Sequence, residues 1–324
     1  MRFRFSLIIF IILCLGCNEL NSKKVYKPKS SGKLNDLLLV VNDDLWMGDV
    51  GDAVRNYISS EIYGLPQKEP YFNIRQLSEV LFKDFVRSNR IILQLEISQE
   101  NEVKFYKDPY ASPQKMIVVK APSKRELIEL INDRALDIIS NFRETEFNEK
   151  QRRVNKSLFD NSIIKNKLGI DIKFSSAYRI AKSNKNFFWI RRDTENGSLN
   201  LLLYSLPLRN FKNTSSFQKF IIKSRDSISQ AEIPGPIEDA FMTTERSYKP
   251  LSSYTLISGI STFQTKSLWK VEGAFMSGPF INFCITDKEN SRFLIAEGFV
   301  YAPAKSKRDF LFELETMIRS IKLD

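Results

Sequence analysis

The apolar run over residues 5–15 is eleven residues long, and it limits the fold by taking itself out of it. A helix needs about 20 residues to span a bilayer, so this run is too short. Arg2 and Arg4 precede it, and Gly16-Cys17 follow it. A charged start, a short apolar stretch and a small residue before a cut form the secretory-signal pattern. A cut before Cys17 makes that cysteine the first mature residue and the site of lipidation. The box Cys14-Leu15-Gly16-Cys17 departs from the usual lipoprotein form at Cys14, where Leu is common. Residues 1–16 are therefore read as a lipoprotein signal.

Residues 17–33 are read as the lipidated cysteine and a basic tether, with too few apolar residues to fold. As a flexible coil, a tether of about 16 residues spans roughly 20–25 Å. Its five lysines (Lys23, Lys24, Lys27, Lys29 and Lys33) lie near the membrane, where each gains about 1 kcal/mol against an anionic leaflet.

Composition narrows the chemistry. The chain contains no histidine, which removes the commonest general base and metal ligand. Ser-His-Asp and Cys-His hydrolase arrangements are excluded, as are ordinary zinc sites. Cys14 leaves with the signal and Cys17 is capped by lipid, so only Cys284 remains, inside an apolar strand-like run where it reads as a small buried hydrophobe. The formal charge of +11 falls to +9 once Arg2 and Arg4 are lost. A basic exported protein suits lipid phosphate or acidic glycan. Export and the scatter of the positive charges argue against nucleic acid. No cofactor is expected.

The globular part should occupy residues 34–324 and be α+β. Residues 36–42 read as a buried strand, and residues 90–97 and 115–120 as two more. Asp52 is placed to cap a helix over residues 53–62. Ile74, Leu77, Leu81 and Phe85 fall at helical spacing. Ser123 should cap a long helix with Leu127, Ile131, Ala135, Ile138 and Phe142 on one stripe. Asn196-Gly197 is a strong hairpin signal. Residues 217–229 read as a helix, residues 241–301 as mostly antiparallel strands, and residues 305–321 as an amphipathic helix with Phe310, Leu314, Met317 and Ile321 on one face. Strand, Ala-Pro, basic residues and helix recur at Ala121-Pro122 and Ala302-Pro303. A duplication would give halves 34–169 and 170–324, each a ferredoxin-like β-α-β-β-α unit with helices on one face of the sheet.

Six residues stand out as surface or cleft positions: Trp46, Asp49, Gln67, Glu69, Trp269 and Met276. Trp46 and Asp49 lie in the run Asp43 to Asp52, whose four carboxylates suit calcium in kind but have a helix-cap explanation. Gln67 and Glu69 lie in the turn Gly64-Leu65-Pro66-Gln67-Lys68-Glu69-Pro70. Glu69, paired with Asp49, would suit glycan hydrolysis. Trp269 and Met276, with Gly278-Pro279 as a bend, would line a pocket for an acyl chain or a peptide.

Several segments occur in a distinctive order. They are Trp46-Met47-Gly48-Asp49-Val50-Gly51-Asp52, then residues 64–70, then Asp108-Pro109-Tyr110-Ala111-Ser112-Pro113-Gln114. Asn186-Phe187-Phe188-Trp189-Ile190-Arg191, Phe241-Met242-Thr243-Thr244-Glu245, Leu268-Trp269, Met276-Ser277-Gly278-Pro279-Phe280 and Tyr301-Ala302-Pro303 with Lys307-Arg308 follow. Together they resemble the DUF4837 family, a domain of unknown function in Bacteroidetes lipoproteins. The resemblance implies a lipoprotein location and assigns no activity. The expectation is a lipid-anchored envelope protein, held at the outer membrane and facing the periplasm, that binds another envelope protein, peptidoglycan or lipid. An envelope enzyme using carboxylates or Tyr on glycan or peptide is the rival, and a lipid or acyl-chain carrier is the third reading.

Overall fold

A computed structural model describes residues 26–323, so the signal, Cys14 and Cys17 lie outside the described residues. Two main sheets organise the chain. The first holds β1 (Asp36–Val40), β2 (Asn73–Leu77), β3 (Ile91–Ile97), β4 (Glu102–Lys107) and β5 (Lys115–Ala121), in the order β2-β1-β3-β5-β4. β1 runs parallel to β2 and β3, and β3 runs parallel to β5, while β4 is antiparallel. Parallel strands covered on both faces read as unbroken apolar runs. Leu37, Leu38, Leu39, Val40 and Val41 form such a run, none more than 2 % exposed.

Helices cover one face of this sheet. They are α1 (Asp43–Trp46), α2 (Asp49–Ala53, continued by a π turn over Val54–Ile58), α3 (Lys124–Asp133) and α4 (Ala135–Val154). Leu37, Leu39, Leu93 and Val119 pack beneath them. Phe82, from a loop, covers Leu38, Val40, Ile92 and Val118 on the other face. Ser123 caps α3 as expected, its Oγ accepting from Glu126 N at 3.3 Å, and the stripe Leu127 to Phe142 is buried. The expected long helix is two helices, parted at Arg134 (φ −103°, ψ 6°). Asp52 is not a cap. It lies within α2 and pairs with Arg55 at 2.7 Å, and Gly48 holds the cap position.

The second sheet is antiparallel throughout. It contains β7 (Arg179–Ser183), β8 (Phe187–Thr194), β9 (Gly197–Pro207), β10 (Phe241–Thr244), β11 (Leu251–Ile257), β12 (Ile260–Glu272), β13 (Ser277–Asp287) and β14 (Arg292–Tyr301). The order is β10-β12-β13-β14-β9-β8-β7, with β11 also on β12. The Asn196-Gly197 hairpin joins β8 to β9. A Cβ on Gly197 would lie 2.1 Å from Tyr301 O, so the site requires glycine. α5 (Ser162–Leu168) and α7 (Arg308–Arg319) cover one face, and α6 (Thr214–Glu232) covers the other. A short ribbon pairs β6 (Ile170–Asp171) with β15 (Lys322–Leu323).

The α+β class and the mostly antiparallel pairing hold, but the two ferredoxin-like halves do not. β5 lies between a parallel and an antiparallel neighbour, whereas both neighbours of β14 are antiparallel. Nor do helices keep to one face of the second sheet. Phe293, Leu294, Ile295 and Ala296 on β14 are all apolar and buried, so both faces need cover. Ile74 to Phe85 is not a helix. Pairing with β1 makes β2 a strand, and two 3₁₀ turns follow (Glu79–Leu81 and Asp84–Ser88). Residues 28–33, expected in a flexible tether, are instead docked on the first sheet's loops. Pro28 O accepts from Ser112 N at 2.9 Å, Ser31 N donates to Ser88 O at 2.8 Å, and Ser31 O accepts from Arg90 N at 3.0 Å. Backbone hydrogen bonds thus dock the stretch from residue 28 onward.

α7 lies between the second sheet and α4, and residues 311–318 are all buried. Phe312 stacks on Phe147 at 4.7 Å, and Lys150 donates to Glu313 at 2.6 Å. Arg143 and Arg319 donate to Glu315 at 2.7 and 2.9 Å. Burial alone would raise the Glu315 carboxyl, but Arg143, Arg319 and Lys266 hold it at about 2, against an ordinary 4.5. A depressed carboxylate stabilises the fold above its unfolded pKa. Its contribution, about 3 kcal/mol, should vanish as the pH falls from about 4.5 through 2. Urea midpoints measured across that window should fall more steeply for the native chain than for Glu315→Gln.

Candidate functional site

Past the C-terminal end of α6 the chain turns through Ile233-Pro234-Gly235-Pro236 and returns as β10. Between this turn and the sheet lies a half-open cleft of about 260 Å³. Strand register builds its floor. Arg191 on β8 stands opposite Asn200 on β9, which stands opposite Phe299 on β14. Ser198 stands opposite Tyr301 in the next row. Trp189, Trp269, Tyr301, Met242 and Met276 complete the walls.

Trp269 is 2 % exposed and meets Phe299 edge-on at 5.7 Å. Its Nε1 donates to Val300 O at 3.3 Å. It faces Gly278 across β12 and β13, where a Cβ would lie 3.0 Å from Trp269 Nε1 and 2.1 Å from Val300 O. Any other residue at 278 would push the indole or the β14 backbone aside.

Three polar side chains, Asn200, Ser198 and Arg191, sit in the floor. Asn200 is 1 % exposed. Its Oδ1 accepts from Trp189 Nε1 at 2.9 Å and its Nδ2 donates to Ser198 Oγ at 3.0 Å. The Asn200 amide thereby fixes the Trp189 ring. Arg191 is half-buried beside Trp189, its guanidinium 5.7 Å from the ring centre. It donates to Asp193 at 2.6 Å. Burial would raise the Asp193 carboxyl, but Arg191 and Arg179 hold it below the usual range.

A buried polar layer lies one register row deeper, under α6. Thr265, Asn282 and Glu297 align across β12, β13 and β14. Arg225 of α6 donates to Glu297 at 2.9 Å, and Asn282 donates to the other carboxylate oxygen at 2.9 Å. The Arg225 guanidinium lies 4.1 Å from the Phe280 ring centre. This layer fixes α6, whose end opens the cleft. Cys284, on the same face, has no exposure, and burial pushes its thiol up.

Of the six residues singled out in the sequence, Trp269 and Met276 share this cleft and the other four lie elsewhere. Trp46 is half-buried against the first core, with the Arg55 guanidinium 4.3 Å above its ring. Asp49 is exposed in the first turn of α2, and Gln67 is exposed in its turn. Glu69 is not a cleft carboxylate. Its Oε1 accepts from Lys307 N at 2.8 Å and its Oε2 from Arg308 N at 2.9 Å. Those amides start α7 and have no partner within the helix, so Glu69 caps α7 from the other half of the chain. Of the neighbouring carboxylates, Asp43 accepts from Gln76 at 2.8 Å.

Sequence reasoning missed Asn200 as a site residue. Its signal was a polar residue inside the apolar run Leu199 to Leu203. The cleft can grip an apolar group between aromatic walls and offer hydroxyl and guanidinium hydrogen bonds to polar atoms beside that group. Its lining includes no carboxylate.

No curated protein matches the chain. Among solved structures, the Ran-binding protein Mog1p of Saccharomyces cerevisiae is similar at 9 % identity and a TM-score of 0.33, over 48 % of this chain and 90 % of that one. LpqN, described as involved in cell envelope biogenesis of Mycobacterium tuberculosis, is similar at 10 % identity and a TM-score of 0.29, over 47 % and 82 %. Residues 30–155, with the motifs at residues 46–52, 64–70 and 108–114, match the domain of unknown function DUF8532. Residues 157–320, which include the whole cleft lining and the motifs from Asn186 onward, match the domain of unknown function DUF4837, and the chain belongs to that family.

Proposed function

We propose that this chain is a lipid-anchored cell-envelope protein that holds part of an envelope partner in the cleft between Trp189, Trp269 and Tyr301. The observation that carries the reading is that cleft, aromatic-walled and floored by the buried Asn200. At about 260 Å³ it is smaller than the ~300–1,000 Å³ usual for a pocket that encloses a whole small molecule. Its half-open form suits an apolar anchor projecting from something larger, whether protein, peptidoglycan or lipid. A carrier would need a deeper apolar cavity. A glycosidase-like enzyme would need two carboxylates about 5–9 Å apart at the site. The anchor rests on Cys17. Lysines after Glu19, in place of an acidic stretch, support a position facing the periplasm rather than the cell surface. Among the described residues no helix is long and apolar enough to cross a membrane.

The chain has three tryptophans, and two of them line the cleft. Intrinsic fluorescence is therefore a direct reporter. Purified protein titrated separately with muropeptides, extracted envelope lipid and solubilised envelope proteins should show a saturable emission change with one of them. Met276→Arg, which brings a charge to the cleft wall, should abolish it. No saturable change with any of the three, or release of sugar from peptidoglycan by the native protein, would overturn the reading.

A further inference from the structure

The chain enters the described structure beside a loop that displays apolar side chains to water. Lys27 Nζ donates to Asp108 O. Ser31 N donates to Ser88 O at 2.8 Å, and the two serine hydroxyls are 2.8 Å apart. Ser88 ends the second of the two 3₁₀ turns over residues 79–88. In that loop Val80 is 80 % exposed, Leu81 55 % and Phe85 83 %.

The loop is held rigidly enough to present them. Asp84 has φ +51°, in the left-handed region, and bends the backbone between the turns. Phe82 faces inward and meets the Tyr110 ring edge-on at 5.9 Å. The Arg87 guanidinium lies 5.5 and 5.1 Å from those two ring centres. Lys83 and Arg87 are exposed among the apolar residues, as are the acidic Glu79 and Asp84, so the loop carries no net charge and its apolar side chains dominate. Bulky apolar side chains interleaved with basic ones suit the headgroup region of a bilayer.

We infer that the 79–88 loop is a membrane-contact surface, with Val80, Leu81 and Phe85 seated in the bilayer interface and Lys83 and Arg87 against lipid phosphates. This rests on the reading of Cys17 as lipidated. Chain length selects the occupant. Ten residue steps separate Cys17 from Lys27, and at full extension they reach no more than about 35 Å. The docked segment then runs directly to Ser88. A lipid on Cys17 therefore keeps the bilayer within reach of this loop. Two acyl chains or more on the cysteine already make a stable anchor, where a single chain is marginal. Here the loop supplies a further signal and fixes which side of the protein faces the lipid.

The test uses the full lipidated protein in vesicles of phosphatidylethanolamine and phosphatidylglycerol. Phe85→Cys and, as a reference on the fully exposed β12–β13 turn, Phe275→Cys each carry an environment-sensitive fluorophore; the buried Cys284 stays unlabelled. The probe at position 85 should shift to the blue and be several-fold less accessible to iodide than the probe at 275. Because Val80, Leu81 and Phe85 are exposed, a Val80→Ser, Leu81→Ser, Phe85→Ser variant should fold normally and lose several-fold in vesicle binding when unlipidated. If the protein floats with the vesicles while both probes are equally quenched, the loop does not contact lipid and the inference is wrong, with the anchor intact. If Cys17→Ser leaves the protein fully attached to membranes in cells, the lipoprotein reading itself fails.

Discussion

Arg225→Met should lower the free energy of unfolding by about 3–5 kcal/mol, because it strands a buried charge. Arg225 is 1 % exposed and Glu297 is not exposed at all. The guanidinium donates to Glu297 at 2.9 Å and contacts Asp226 and Thr244 at 3.1 and 3.2 Å. Burial pushes the Glu297 carboxyl up even with the arginine beside it. Methionine keeps most of the volume and removes the positive charge, leaving Asn282 as the donor to that carboxylate. Replacing both members of a buried pair with packed apolar groups is far less harmful than removing one. Arg225→Met/Glu297→Met should therefore recover part of the loss in urea denaturation. A double variant as unstable as the sum of the two singles would show that the residues do not interact.

Arg90→Met should cost a similar ~3–5 kcal/mol, with a local signature as well. Arg90 donates to both oxygens of the fully buried Glu146, at 2.7 and 3.0 Å. The same guanidinium donates to Gly32 O at 3.2 Å and to Lys33 O at 2.7 Å. Asn35 N is the other donor to Glu146, at 2.9 Å. One side chain thus neutralises a core carboxylate and ties the entering chain to β3. In hydrogen exchange the Ser31 and Asn35 amides should lose protection well before those of β13. Unchanged protection at Ser31 would mean that the backbone bonds to Ser88 and Arg90 hold the segment without the guanidinium.

Local signals in the sequence were reliable where the structure they specify is local. The Ser123 cap, the Leu127 to Phe142 stripe and the Asn196-Gly197 turn depend on neighbours a few positions away, and each forms. The Leu37 to Val41 run carried a parallel-sheet signal in its lack of alternation. The repeated Ala-Pro junction pointed instead to two like halves, although such a junction says nothing about the strands on either side. Ile74 to Phe85 shows how a period of nearly four arises by accident: Ile74 and Leu77 belong to a strand, and Leu81 and Phe85 face water. Trp269 and Met276 could be linked because a single hairpin joins them. Glu69 was misread because its partner amides lie 238 and 239 positions away, and no spacing rule reaches that far. Asn200 was overlooked because its value comes from Trp189 across the ladder.

α7 gives the chain an unusual seam. Sequence families divide it between residues 155 and 157, yet the helix near the end of the second stretch has its aromatic and acidic face answered by Arg143, Phe147 and Lys150 in the first. Glu69 closes the same seam from the first stretch onto the start of that helix. A gene cut at the family boundary would strip Phe312, Glu313 and Glu315 of these partners, leaving Glu313 with Tyr178 and Arg192 and Glu315 with Arg319. The two stretches match different families but depend on each other physically. Truncations, domain swaps and evolutionary exchange between relatives must carry the pair together.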